Sequence, residues 1–171
     1  MLPGRPTFPV PGPREGPGTD KAEGAHKMND RIRTTAQSPA DVVRELYAAL
    51  RKGDVPGVLA RLAPEVIVDE PNRLPYGGVH QGRDVFVESV LGAMMGYADV
   101  AITEAEVFEG AAGVVGTLTG TLTARSTGEE YPLTMVEIHQ VEGGAVHKID
   151  VYTKNPDELA AFYARAEAGT R

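Results

Sequence analysis

The sequence has no cysteine and no tryptophan. Without cysteine there are no disulfides, no thiolate metal ligands and no cysteine nucleophile, so any chemistry must run on carboxylates, imidazoles and hydroxyls. Positive charge is also scarce. Seventeen Lys and Arg against 24 Asp and Glu leave a formal charge of −7. No basic stripe interleaved with aromatics offers itself to a phosphate backbone, so no nucleic-acid partner is expected. No apolar run approaches the roughly 18 residues of a membrane span, and the N-terminus lacks the apolar stretch of a secretory leader. Neither a membrane nor an export route is expected, which leaves a cytoplasmic location. Phosphate-binding loops are missing as well: Gly110-Ala111-Ala112-Gly113 reads as a turn, with no Walker lysine and no dinucleotide spacing. There is no G-x-S-x-G elbow. No cofactor is expected.

What is present suits one soluble domain, with 42% hydrophobic and 24% charged residues. It does not begin at once. Residues 1–27 are crowded with Pro and Gly, and their few apolar residues have no period, so they cannot bury enough surface to offset the entropy of ordering. Residues 1–37 are therefore expected to be a disordered tail. Met28 opens an ordinary-looking start, so 1–27 read either as an upstream translation artefact or as a flexible extension.

Order is expected over 38–166. Ser38-Pro39-Ala40-Asp41 joins an N-cap hydroxyl, a proline at the first helical position and an acid in the first turn. Val42, Val43, Leu46, Ala49 and Leu50 recur at helical spacing before Gly53. Asp54-Val55-Pro56 starts a second helix that Pro64 should stop. EVIVDE (65–70) reads as a short strand, PNRLPYGGVHQG (71–82) as a loop, and RDVFVESVLGAMMG as a third helix with Val87, Val90, Leu91 and Met94 as its stripe. Strands are expected at 98–108, 113–125, 130–142 and 145–153, and Asn155-Pro156-Asp157 opens a terminal helix through Phe162. Helices followed by an antiparallel meander predict an α+β fold: three N-terminal helices on a curved, mainly antiparallel sheet, shaped as a cone-like barrel and closed by a short C-terminal helix.

Strand alternation then decides which side chains meet. With Gly143-Gly144 as a two-residue turn, 139 faces 148 and 137 faces 150. One face would carry Met135, Glu137, His139, Lys148, Asp150 and Tyr152, and the other Val136, Ile138, His147, Ile149 and Val151. A turn at Thr127-Gly128 would set Leu118 beside Glu137, Gly116 beside His139 and Gly120 beside Met135. Glycine inside a strand marks a bend or a close approach, so Gly116 and Gly120 would leave space over Glu137 and His139. The opposite face carries a threonine ladder, which suits either water or sheet-to-sheet dimerisation. In EVIVDE, Val66, Val68 and Glu70 share a face while Asp69 points away. Glu70 thus ends an apolar face next to the loop bearing Tyr76 and His80. Carboxyls in such a setting are desolvated, and a second acid nearby lifts one pKa further. The bland alternatives are a solvated Glu137, a Glu70 that caps a turn, and an Asp150 paired with Lys148 or Arg73. His139 and His147 face opposite ways, so no zinc site is expected.

Three stretches, ELYAALRKGDVPGVLARLAPEVIVDEP, LPYGGVHQGRD and VEIHQVEGGAVHKIDVYTKNP, resemble the SnoaL-like branch of the nuclear transport factor 2-like superfamily, relatives of ketosteroid isomerases and polyketide cyclases. The resemblance spans nearly the whole domain. It implies helices on a curved sheet around a ligand pocket, a homodimer through the sheet, and no metal or cofactor. Glu70-Pro71 stands where the isomerases carry their proton-shuttling base, and Glu137 where they carry the acid that binds the oxyanion. The tyrosine donor of their first helix falls on Leu46, with Tyr47 one residue off. The expected function is acid–base isomerisation or ring closure of a small hydrophobic, polyketide-like substrate. Glu70 or Asp150 would be the base, a protonated Glu137 with His139 would stabilise the enolate, and Tyr76, His80, Leu118, Met135 and Tyr152 would line the pocket. The fold also hosts non-catalytic binders and water-activating hydrolases of the epoxide-hydrolase type, and both stay open at the level of sequence.

Overall fold

In the first helix, α1 (Pro39–Lys52), the Ser38 hydroxyl accepts from the Asp41 N–H, and Gly53 ends the helix in the left-handed conformation at φ 66°. Its buried side is Val42, Val43, Leu46, Tyr47 and Ala49. This computed structural model describes residues 37–111 and 113–169, which belong to one compact unit. The tail expected over 1–37 lies, except for Gln37, outside the described residues.

Asp54 caps α2 (Val55–Arg61) by accepting from the Gly57 N–H. The chain passes directly into β1 (Leu62–Glu70), longer than the predicted 65–70. Pro64 therefore lies within the strand. It falls between the paired positions Leu62 and Ile67, where the ladder to the neighbouring strand is irregular and a missing N–H costs nothing. The expected loop contains a short strand, β2 (Gly78–Gln81), paired antiparallel to β1.

The third helix is one continuous run with a widened middle: α3 (Arg83–Val85), a π-helical stretch (Phe86–Leu91) and α4 (Gly92–Tyr97). The π turn rotates the stripe, so Phe86, Val90 and Met94 are the fully buried positions while Val87 and Leu91 sit at its margin. Then come β3 (Ala98–Gly110), β4 (Gly113–Ala124), β5 (Glu130–Glu142), β6 (Ala145–Thr153) and α5 (Pro156–Ala168).

The six strands form one sheet in the order β2-β1-β6-β5-β4-β3. All neighbours are antiparallel except β1 and β6. The sheet is open, with β2 and β3 at its edges, so the barrel is not closed. One face packs against the helices. Val66 and Val68 of β1, Val114, Leu118 and Leu122 of β4, Leu133 and Met135 of β5, and Val146, Ile149 and Val151 of β6 are all buried there. Among the described residues no helix is long and apolar enough to cross a membrane.

Two registers differ from the sequence arithmetic. The β4–β5 turn uses four residues rather than two, because Ala124 and Glu129 still bond to each other, so Gly116 faces Glu137, Val114 faces His139 and Leu118 faces Met135. The slip is two residues, and inward residues stay inward. At the β5–β6 hairpin the Gly143-Gly144 turn forms as expected, with both glycines at positive φ and Glu142 opposite Ala145. One residue later the ladder shifts: Val141 faces Val146, but Gln140 faces Lys148. His147 is an extra residue, a bulge, and beyond it every β6 side chain points to the other face.

Candidate functional site

The inner face brings two carboxyls to one level. Asp69 lies beside Asp150 in the parallel β1–β6 ladder, which puts Glu70 next to Val151. Val151 faces Glu137, and Glu137 faces Gly116. Glu70 and Glu137 thus rise two strands apart, about 10 Å between strand axes, on either side of Val151. Both are buried, with 4% and 9% exposure. Both line a small, partly enclosed cavity of about 30 Å³. Its other walls are apolar: Leu46 and Leu50 of α1, Phe86, Val90 and Met94 of the third helix, and Val68, Met135, Ile149 and Val151 of the sheet. A space of that size admits a water.

The two carboxyls have different company. Glu70 Oε2 is buried without a hydrogen-bond partner. Burial, then the charge of Glu137, then that of Asp69, push the Glu70 pKa up to about 8, so at neutral pH it keeps its proton. Glu137 is held by hydrogen bonds instead. The Tyr47 hydroxyl donates to Glu137 Oε2 at 2.8 Å. His139 Nε2 stands 3.2 Å from the same oxygen and 2.9 Å from the Tyr47 hydroxyl. Tyr47 has one proton to give and gives it to Glu137, so the His139 proton belongs on Nε2, donated into the same pair. His139 is wholly buried, its ring edge-on to Tyr47 at 5.6 Å. Burial, reinforced by Glu137, raises the Tyr47 pKa well above the usual phenol range, so its hydroxyl stays a donor.

Tyr47 is the residue that sequence reasoning missed. Aligned by position, the helix tyrosine fell on Leu46, and Tyr47 stood one residue off. In the structure Leu46 lines the cavity and Tyr47 reaches Glu137 from the next position on the same buried side. The signal was Gly116. A β-carbon there would overlap the Tyr47 hydroxyl, so the glycine opens the space the phenol fills. Gly120 admits a backbone instead: a β-carbon there would strike the Ala101 carbonyl, beside the irregularity in the β3–β4 ladder.

Other expected site residues are placed elsewhere. Asp150 and Tyr152 are corrections, because the His147 bulge turns both onto the outer face opposite Ile138 and Val136. Asp150 pairs with Lys148 at 2.9 Å, and Tyr152 is 57% exposed. His80 binds the Tyr76 carbonyl at 2.8 Å and fastens the loop. Tyr76 is buried, but its ring packs edge-on against Tyr163 rather than against the cavity. Leu118 is buried beside Met135, and only Met135 lines the cavity. Among the described residues no cluster of three His, Asp or Glu could hold a metal.

An open, helix-covered sheet with acids facing an apolar interior defines the class: α+β pocket folds of the nuclear transport factor 2-like kind. Within it, the SnoaL-like domain profile matches residues 43–149, and the chain belongs to that family. Solved structures agree on the fold. A nuclear transport factor 2-like protein from Burkholderia thailandensis is 21% identical with a TM-score of 0.66, covering 77% of this chain and 98% of its own. One from Burkholderia pseudomallei, of unknown function, is 27% identical with a TM-score of 0.63, covering 71% and 93%. A candidate polyketide cyclase from Pseudomonas putida is 19% identical with a TM-score of 0.62, covering 72% and 97%. No match was found among curated proteins.

Proposed function

We propose that this protein is a cytoplasmic, cofactor-independent enzyme that moves protons on an apolar substrate carrying a carbonyl oxygen, ending in isomerisation or ring closure. One observation carries the reading: two buried carboxyls face the same apolar cavity in different electrostatic settings. Such a pair divides into acid and base. Glu70 keeps its proton and is the acid that donates to the developing enolate oxygen. Glu137 is the base that removes the proton next to the carbonyl. This reverses the roles expected from sequence. Tyr47 and His139, behind Glu137, act as positioning residues. Candidate polyketide cyclases among the structural neighbours support a polyketide-like substrate.

The cavity is far smaller than such a substrate, so binding requires Phe86, Val90 and Met94 to move with the third helix. The π-helical stretch is the natural place to yield. The outer sheet face, exposing Val136 and Tyr152, suits pairing with a second copy.

The test needs no substrate. Titration of the glutamate side-chain carboxyls by carbon NMR should show Glu70 with a midpoint near 8, and Glu137→Gln should lower it by removing a neighbouring charge. A Glu70 midpoint in the ordinary carboxylate range sinks the reading. The water-sized cavity favours a second reading, epoxide opening by a water held between the acids. Incorporation of ¹⁸O from labelled water into product separates the two.

A further inference from the structure

The parallel strands β1 and β6 finish side by side, with Asp69 level with Asp150. An open pocket of about 340 Å³ lies against their ends, a size usual for small-molecule sites. It is lined from both faces of the sheet. Asp69, Asp150 and Tyr152 reach it from the outer face, and Glu70, Val151 and Thr153 from the inner one. The two sides differ in what they leave unsatisfied. On the inner side Glu70 Oε2 and Thr153 Oγ1 are buried without a hydrogen-bond partner, and Glu70 is only 4% exposed. Native interiors leave few such atoms, and each calls for a water or a ligand. On the outer side the deficit is one of positive charge. No Lys or Arg lines the pocket. Lys148, two residues back on β6, takes Asp150 Oδ1 at 2.9 Å and leaves Asp69 without an ion pair among the described residues. Two carboxylates against one ammonium leave a negative charge over. The Tyr152 side chain, 57% exposed, stands beside them.

We propose that this pocket binds a small amino alcohol, its ammonium held by Asp69 and Asp150 beside Tyr152 and its hydroxyl bonded to Glu70 Oε2 and Thr153 Oγ1. A protonated amine is what carboxylates beside an aromatic ring receive best. A metal ion is not, because among the described residues no three His, Asp or Glu are grouped to hold one. The hydroxyl follows from the inner side. It donates and accepts at once, so it serves Glu70 as acid or as carboxylate while Thr153 takes the other role. Pro71 and Pro156 add apolar surface for the carbon skeleton. Glu70 and Val151 also wall the interior cavity, so an occupant of this pocket lies against the proposed acid without any movement of the third helix. The inference stands apart from the acid–base reading, since it asks only that Glu70 Oε2 lack a protein partner.

Three probes dissect the site: phenylethanolamine, phenethylamine without the hydroxyl, and phenylethanol without the amine. Each is titrated into the isotope-labelled full chain and followed by amide NMR. Phenylethanolamine should shift the amides of Asp69, Glu70, Asn72 and residues 150–155 along a saturating curve. Losing the amine should weaken binding about tenfold, the contribution of a charge-assisted hydrogen bond, and losing the hydroxyl about threefold. Asp69→Asn should remove most of the advantage of the amine, and the isosteric Thr153→Val that of the hydroxyl. Glu104→Gln, on the edge strand β3 at the far side of the sheet, makes the same change in net charge and should leave all three affinities within about twofold. Phenylethanol binding as tightly as phenylethanolamine overturns the inference. So does an equal weakening by Glu104→Gln and Asp69→Asn, or a set of shifts that never saturates.

Discussion

The two faces of the sheet carry similar residues to opposite effect. On the inner face Glu70 and Glu137 stand among apolar side chains, and Glu70 holds its proton past neutrality. On the outer face Lys148 and Asp150 stand two residues apart on β6, a third and a quarter exposed, and simply neutralise each other. Water makes the difference. In the open, two charges attract weakly and cost little to keep. Enclosed, a carboxyl without a cation gives up its charge. The retained proton on one face and the ion pair on the other follow from which side the helices cover.

The sharpest way to break that comparison is activity. Once a substrate is in hand, Glu70→Gln and Glu137→Gln should each lower kcat/KM by about 10²- to 10⁴-fold, the usual contribution of a positioned acid or base, while Asp150→Asn should leave it within about twofold. Equal losses at all three positions would abolish the distinction between faces.

Stability gives the next largest effect, with opposite sign. The folded-state pKa of Glu70, about 8, lies above its ordinary value of 4.5. Folding therefore favours the protonated form, and this group's contribution becomes unfavourable as pH climbs from 4.5 towards 8. At pH 7 the cost is on the order of 3 kcal/mol. Glu70→Gln should thus raise the melting temperature at pH 7 and have little effect near pH 4, as differential scanning calorimetry across pH would show. A variant no more stable at pH 7 would mean that Glu70 is solvated.

A smaller loss should come from Gly116→Ala. The added methyl meets the Tyr47 hydroxyl, so overpacking should cost about 1–3 kcal/mol in chemical denaturation and pull the phenol away from Glu137. The smallest effect belongs to the outer face. Lys148→Met should change stability by less than about 0.5 kcal/mol, an exposed ion pair being worth little.

The sequence carried much of this, for a physical reason that also explains its failures. Strand side chains have a period of two. The β4–β5 register was misjudged by two residues, which moved each partner along the strand but left Gly116, Leu118, Glu137 and His139 facing inward. Glu70 needed only alternation along β1, with no pairing at all. Asp150 and Tyr152 were lost to a single extra residue, His147, and one residue is the error that alternation cannot absorb. Nothing in AVHKIDVYT announces that bulge. Tyr47 was lost differently: its neighbour Leu46 is buried on the same helix, and choosing between adjacent buried positions needs the third dimension that Gly116 supplies.

The parallel pairing of β1 with β6 has a consequence for how the protein is born. The strands from β3 to β6 can zip together through short hairpins, each closing a loop of a few residues. β1 must wait, because its partner lies some eighty residues downstream in the chain, and that loop is slow to close. Glu70 and Glu137 therefore meet only when β1 docks, among the last events of folding. On the ribosome, a partial chain that ends between Glu137 and β6 carries both acids without a shared interior. The shared interior of the two acids would arrive all at once, as the molecule's certificate of completion.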